Sequence, residues 1–189
     1  MKQIYQKIWK LAKPYLKKGI RKDFVLHTKG VIRAMEYLIV EENGEEDILL
    51  PAAILHDVGW AKVPKNLQRS DNQEDQIEAL KLHIKFAPEI IRETLEEVGY
   101  ETPKIERIID IVKSHKFQDP QDLSKQLLID ADTLSDAFKE QFFSNVESYN
   151  TSPKKHYEFR KANQFYTKSA RILFNKELEE RRREFENIK

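Results

Sequence analysis

Ile48-Leu49-Leu50-Pro51-Ala52-Ala53-Ile54-Leu55-His56-Asp57-Val58-Gly59 is an apolar segment that runs straight into a histidine, an aspartate and a glycine. The apolar run predicts a helix from about Glu46 to His56, with a kink at Pro51. Neighbours on a regular helix do not share a face. At a helix end, however, the backbone can turn and let both His56 and Asp57 reach one centre. Gly59 suits such a turn, because glycine tolerates unusual backbone angles.

Further metal-type ligands lie on both sides of this segment. His27 precedes it, His83 and His115 follow, and Asp132 stands within Leu128-Ile129-Asp130-Ala131-Asp132-Thr133-Leu134. Each histidine falls on the apolar stripe of its own helix. His27 has Phe24 three before and Val31 four after; His83 has Ala79 four before, Leu80 three before and Ala87 four after. His115 follows Ile108, Ile111 and Val112, and Asp132 follows Leu128 and Ile129, at the same kind of spacing. Spacings of 3, 4 and 7 place residues on one helix face, so the four imidazoles and Asp132 point inward. A lone core histidine is ordinarily a hydrogen-bonded packing residue. A buried carboxylate is costlier, since an unpaired buried charge costs several kcal/mol. Four imidazoles and two carboxylates in one small core need a common cause, and one or two divalent metal ions provide it. The fifth histidine, His156, lies in the charged stretch Lys154-Lys155-His156-Tyr157-Glu158 and reads as a surface residue.

Composition narrows the setting. The 189 residues suit one domain, spanning 1–189, with 40% hydrophobic and 34% charged residues. With only 5 glycines and 7 prolines, turns are few and helices long. A net charge of +1 gives no electrostatic argument for a nucleic-acid polymer or a membrane surface. The absence of cysteine excludes disulfides and thiolate metal sites, so a metal must be held by nitrogen and oxygen. Manganese, iron, cobalt, nickel and zinc all accept such ligands, with iron or manganese favoured. No run approaches the roughly 20 apolar residues that span a bilayer, and the expected location is cytoplasmic.

The pattern is helical almost throughout, giving an all-α fold. Helices are expected at 3–18, from an Asp23 cap to about Glu42, at 46–56, 72–86, 88–98, 103–116, 121–139 and 140–149, from Pro153 onward, and at 165–187. Residues 59–71 read as a loop. No Gly-x-Ser-x-Gly and no Gly-rich phosphate loop is present, which leaves triad hydrolases and P-loop enzymes without support.

The order His27, His56-Asp57, His83, His115, Asp132, with Ala52-Ala53-Ile54-Leu55-His56-Asp57-Val58-Gly59 and Asp130-Ala131-Asp132-Thr133-Leu134, resembles the HD-domain superfamily of metal-dependent phosphohydrolases over roughly residues 24–136. The resemblance implies a helical bundle with the metal site between its central helices, and a C-terminal helical extension at about 140–189. It also implies that His27, His56, Asp57 and Asp132 bind the first metal, with His83 and His115 completing a second site and Asp57 bridging. The stretch Phe165-Tyr166-Thr167-Lys168-Ser169-Ala170-Arg171 is similar to the tail of an uncharacterised-hydrolase branch of that superfamily. Many members read His-Asp-x-Gly-Lys; here Trp60 holds the lysine position and Lys62 comes two later.

The expected activity is hydrolysis of a phosphate ester or anhydride in a small phosphorylated molecule, a nucleotide being the leading class. Asp57, His83 and Lys116 are the candidate catalytic residues. Lys29, Arg33, Lys62, Lys65, Arg69 and Lys116 are candidate phosphate clamps, Lys116 foremost because it adjoins His115. Trp60 either stacks on a base or closes the core. Two other readings keep the ligands: an HD-type di-iron oxygenase, and a silent metal- or nucleotide-binding module. The charged last helix, with Arg181-Arg182-Arg183 among glutamates, reads as solvated and leaves a homo-oligomer open.

Overall fold

The computed structural model describes residues 1–20 and 23–187. Among them the regular structure is helical: α1 (Gln3–Leu16), α2 (Phe24–Glu41), α3 (Glu46–Leu55), α4 (Lys65–Arg69), α5 (Gln73–Glu97), α6 (Thr102–Ser114), α7 (Leu123–Ser135), α8 (Lys139–Ser148), α9 (Pro153–Arg160) and α10 (Lys168–Glu186), with a 3-10 turn at Val58–Lys62. The fold is an all-α bundle. Helix α3 is its axis: Ile48 to Leu55 are all buried, and α1, α2, α6 and α7 surround it. Amphipathic helices pack around this apolar rod. In α1 the residues Tyr5, Ile8, Ala12 and Leu16 recur every three or four positions and are buried, each large apolar side chain contributing about 1.5–3 kcal/mol.

Four expectations change. The helices expected at 72–86 and 88–98 are one helix, α5, with Pro88 inside it. A proline forfeits one backbone hydrogen bond, but Ala79, His83 and Ala87 before it and Ile90, Ile91 and Leu95 after it are buried on the same bundle. The helix expected at 121–139 stops at Ser135, because the chain turns there to bury Ala137 and Phe138. The expected loop 59–71 holds the 3-10 turn and α4. One side chain organises it: Gln68 accepts from Ile20 N and donates to the Trp60 and Val63 carbonyls. Gly59, finally, has no positive φ. Its role is close approach, since a Cβ there would lie 2.1 Å from the His83 carbonyl oxygen and 3.0 Å from the Ala87 nitrogen.

The C-terminal helices are tied to α7 and α2. Asp130, fully buried, accepts from Tyr166 N at 2.9 Å, Thr167 N at 2.8 Å and Thr167 Oγ1 at 2.7 Å. Thr167 then caps α10 by accepting from Ala170 N. Asp23 occupies the N-cap position of α2, but its carboxylate accepts from Gln141 Nε2 at 2.9 Å on α8 instead of capping. Arg181 is buried rather than solvated, ion-paired with Glu177, Glu180 and Glu184 along α10.

His156 is also a correction. It is only 3% exposed, packed edge-on against Phe142 at 4.9 Å, and its Nε2 accepts from Arg160 Nε at 3.3 Å. Burial, reinforced by the Arg160 charge, pushes its pKa down to about 4. The unfolded chain therefore binds the extra proton between about pH 6.5 and 4, and stability falls as pH falls through that window.

Two measurements test this packing. Gly59→Ala is expected to lower unfolding stability by about 1–3 kcal/mol, as overpacking against backbone does; an unchanged denaturant midpoint would contradict the tight contact. His156→Asn is expected to flatten the loss of stability between pH 6.5 and 4 by up to about 1.4 kcal/mol per pH unit, and equal slopes in the two proteins would count against a buried neutral imidazole.

Candidate metal centre

The six groups singled out in the sequence converge. His27 comes from α2, His83 from α5 and Asp132 from α7, while His56 and His115 are the residues that end α3 and α6. A helix end leaves carbonyls without intrahelical partners. Here the imidazoles turn back to carbonyls of the last turn: His56 Nδ1 pairs with the Ala53 carbonyl at 2.8 Å, and His115 Nδ1 pairs with the Val112 carbonyl, which also accepts from His115 N. A carbonyl only accepts, so Nδ1 carries the proton and Nε2 of each neutral ring offers a bare lone pair. The same logic fixes His27. The Ser135 hydroxyl donates its hydrogen to the Asp132 carbonyl at 2.7 Å, so at 3.2 Å it accepts from His27 Nδ1.

The Nε2 atoms face one another. His56 and His27 are 3.3 Å apart at Nε2, and so are His83 and His115. Asp57 lies between the two pairs. Its Oδ2 is 3.3 Å from His56 and 3.6 Å from His27, and its Oδ1 is 3.5 Å from His83. Asp132 Oδ1 adds a further oxygen 3.0 Å from His27. His27, His56 and Asp57 form one group that could hold a metal ion, and Asp57, His83 and His115 form a second. Lone pairs of nitrogen and oxygen aimed at a common point repel one another unless a cation sits among them, so this donor set fits a divalent metal.

Electrostatics agree. Burial opposes ionisation of Asp57, but the His56, His27 and His83 rings more than offset it and hold the carboxyl well below the usual range. Burial likewise opposes ionisation of Asp132, and the Lys116 ammonium with His27 outweighs it. Burial drives His83 down to about 4 and His115 well below its ordinary value, with Lys116 adding to both. Burial works to lower His56 as well, but the Asp57 charge prevails and raises it. His83 and His115 are thus neutral near pH 7, as a nitrogen ligand must be.

Three of the six groups, His27, Asp57 and Asp132, line an open cavity of about 490 Å³. Trp60 lines it, stacked on His83 at 4.9 Å and 10°, with its indole N–H donating to Asp57 Oδ1 at 3.2 Å. It therefore braces two of the six groups. Lys116 also lines the cavity, its Nζ donating to Asp132 Oδ2. The other proposed phosphate clamps do not line it. Lys62 pairs with Glu89, Lys65 with the Lys18 carbonyl and Arg33 with Glu177, while Lys29 borders a different hollow; Arg69 is exposed on α4. The cavity lining instead includes Arg160, Asn163 and Tyr149 from the C-terminal segment, which sequence reasoning missed. Arg160 stands four after His156, an ordinary helical spacing in a charged stretch, and nothing local marks it.

In metal titrations of the isolated protein, wild type is expected to take up two manganese or iron(II) ions per chain. Asp57→Ala should lose both, His115→Ala only one, and a wild type that takes up one ion would remove Asp57 as a bridge.

The family model of the HD domain matches residues 24–137. No curated relative matches the chain. Among solved structures, a predicted HD superfamily hydrolase from an uncultured Thermotogales bacterium, a crystal structure at 1.45 Å resolution, superposes with a TM-score of 0.66 over 96% of this chain and 88% of that one. At 19% identity the likeness concerns the fold. With the family's model spanning the helices that carry all six converging groups, this chain belongs to the HD-domain family.

Proposed function

We propose that this protein is a metal-dependent phosphohydrolase that cleaves a phosphate ester or anhydride in a small molecule, nucleotides being the leading class. The observation that carries the reading is the Lys116 ammonium, which lines the cavity beside the two ligand groups. Burial works to lower the Lys116 pKa, but Asp132 and Asp57 outweigh it and raise it, so the side chain stays cationic. A fixed cation beside a metal-type centre suits an anionic substrate. It offers nothing to an oxygenase acting on a neutral molecule, which places the di-iron alternative second.

The geometry supports the following roles. His27, His56, Asp57 and Asp132 would hold one metal ion, and Asp57, His83 and His115 a second. The ions would supply Lewis acidity, polarising the phosphoryl group and bringing the pKa of water toward neutrality. Asp57 stays ionised and, anchored by Trp60, orients what binds between the two histidine pairs. His83, with a pKa of about 4, is a poor proton acceptor at neutral pH and serves better as a lone-pair donor. Lys116 offsets charge that builds on the phosphoryl oxygens, a contribution of the order of 10²–10³ in rate for one well-placed donor. The aromatic wall of Trp60 and Phe24, 5.8 Å apart and tilted, covers the organic part of a substrate.

Phosphate release from a panel of nucleotides and phosphomonoesters, with manganese or iron(II), tests the reading. Wild type should release phosphate only with metal, Asp57→Ala should release none, and Lys116→Ala should be slowed about 100-fold. No release from any substrate by metal-loaded wild type would overturn it.

A further inference from the structure

Arg160 stands out among the cavity-lining residues, because its position is fixed but its donors are only partly used. Its Nη1 lies 2.8 Å from Asp136 Oδ2, and its Nε donates to His156 Nε2 at 3.3 Å. Asp136 is itself fixed, its other oxygen accepting from Asn145 Nδ2 at 2.8 Å. The guanidinium side chain is only 11% exposed, yet it borders the cavity. Among the described residues no hydrogen bond from its Nη2 is present, so two N–H donors of a rigid, permanently charged fork remain. Asn163 and Tyr149 line the same cavity.

A simple ion-pair staple between α7 and α9 would explain the Asp136 contact. It does not explain a cation placed on the lining of the cavity with unused donors. The cavity, at about 490 Å³, is in the size range of sites for whole organic ligands rather than a lone phosphate. Its lining holds two cations with different partners: Lys116, paired with Asp132, and Arg160, paired with Asp136.

We propose that Arg160 binds a second oxyanion of the substrate, a phosphate or carboxylate group apart from the phosphoryl group that reacts, so that the C-terminal extension selects substrates carrying two anionic groups. A planar guanidinium pairs such groups in bidentate fashion. The proposal rests on the phosphohydrolase reading for the first anion, and it makes Arg160 a specificity residue that takes no part in the bond cleavage.

Calorimetric binding of non-hydrolysable probes to the manganese-loaded full chain tests it. The probes are alkylphosphonates and alkane-α,ω-bisphosphonates of three to six carbons, compared at equal chain length. One bisphosphonate should bind wild type at least about tenfold more tightly than its monophosphonate. Arg160→Gln should erase that advantage, and Arg160→Lys should keep part of it, with thermal unfolding confirming that both variants fold. Where monophosphonate binds but no bisphosphonate gains, or the gain survives in Arg160→Gln, the Arg160 assignment falls and the phosphohydrolase reading stands. Where no phosphonate binds the metal-loaded protein at all, both fall. To separate the two anion sources, 3-phosphonopropionate is run alongside: a gain equal to that of a bisphosphonate supports a carboxylate as second group, and a smaller gain supports a phosphate.

Discussion

Two helix ends govern this molecule. Where α3 and α6 stop, the next side chain in each case is a histidine whose Nδ1 pairs with a carbonyl of the last turn, Ala53 or Val112. The termination of a helix and the orientation of a ligand are thus one event. With Nδ1 committed to the backbone, Nε2 projects into the interior. There it meets His27, aligned through Ser135 and the Asp132 carbonyl, and His83, held by the stacked indole of Trp60. Secondary-structure capping, which every helix requires, here also sets the tautomers of His56 and His115.

The cost of this arrangement shapes the surrounding structure. Imidazoles and ionised carboxylates are gathered where water is largely excluded, so each is stabilised by its neighbours or not at all. Asp57 is served on both oxygens, Asp132 is paired with Lys116, and the Trp60 N–H reaches Asp57. To bring Trp60 onto His83, the 3-10 turn after Asp57 must lie against the backbone of α5, and only a residue without Cβ at position 59 permits that distance. The apolar rod of α3 provides a rigid base for these contacts.

The C-terminal helices give the cavity its other side. Asp130 receives three hydrogen bonds from the segment at Tyr166 and Thr167, and Asp136 receives Arg160. Asp130 and Asp136 sit in and just beyond α7, which also carries Asp132. One short helix therefore addresses the centre with Asp132 and the extension with its flanking aspartates, so the wall and floor of the cavity share a support.

Much of this was legible in the residues themselves. The apolar run before His56-Asp57, the 3- and 4-residue spacing of each histidine on its stripe, and the absence of cysteine all concern chemistry or periodicity within a turn or two of chain. Such signals are local, because one helix face repeats every 3.6 residues. They determined the all-α class and the set of six converging groups. What the tertiary structure decided has no local period. His156 sits in a charged stretch yet is buried against Phe142, Pro88 is absorbed into α5 because both its sides find the same core, and Gly59 matters for a backbone that arrives more than twenty residues later. Arg160 lines the cavity and pairs there with Asp136, a residue of another segment. Burial of a polar side chain and the partner of a charge depend on where distant parts of the chain come to rest, and that is set by packing rather than by the neighbours in sequence.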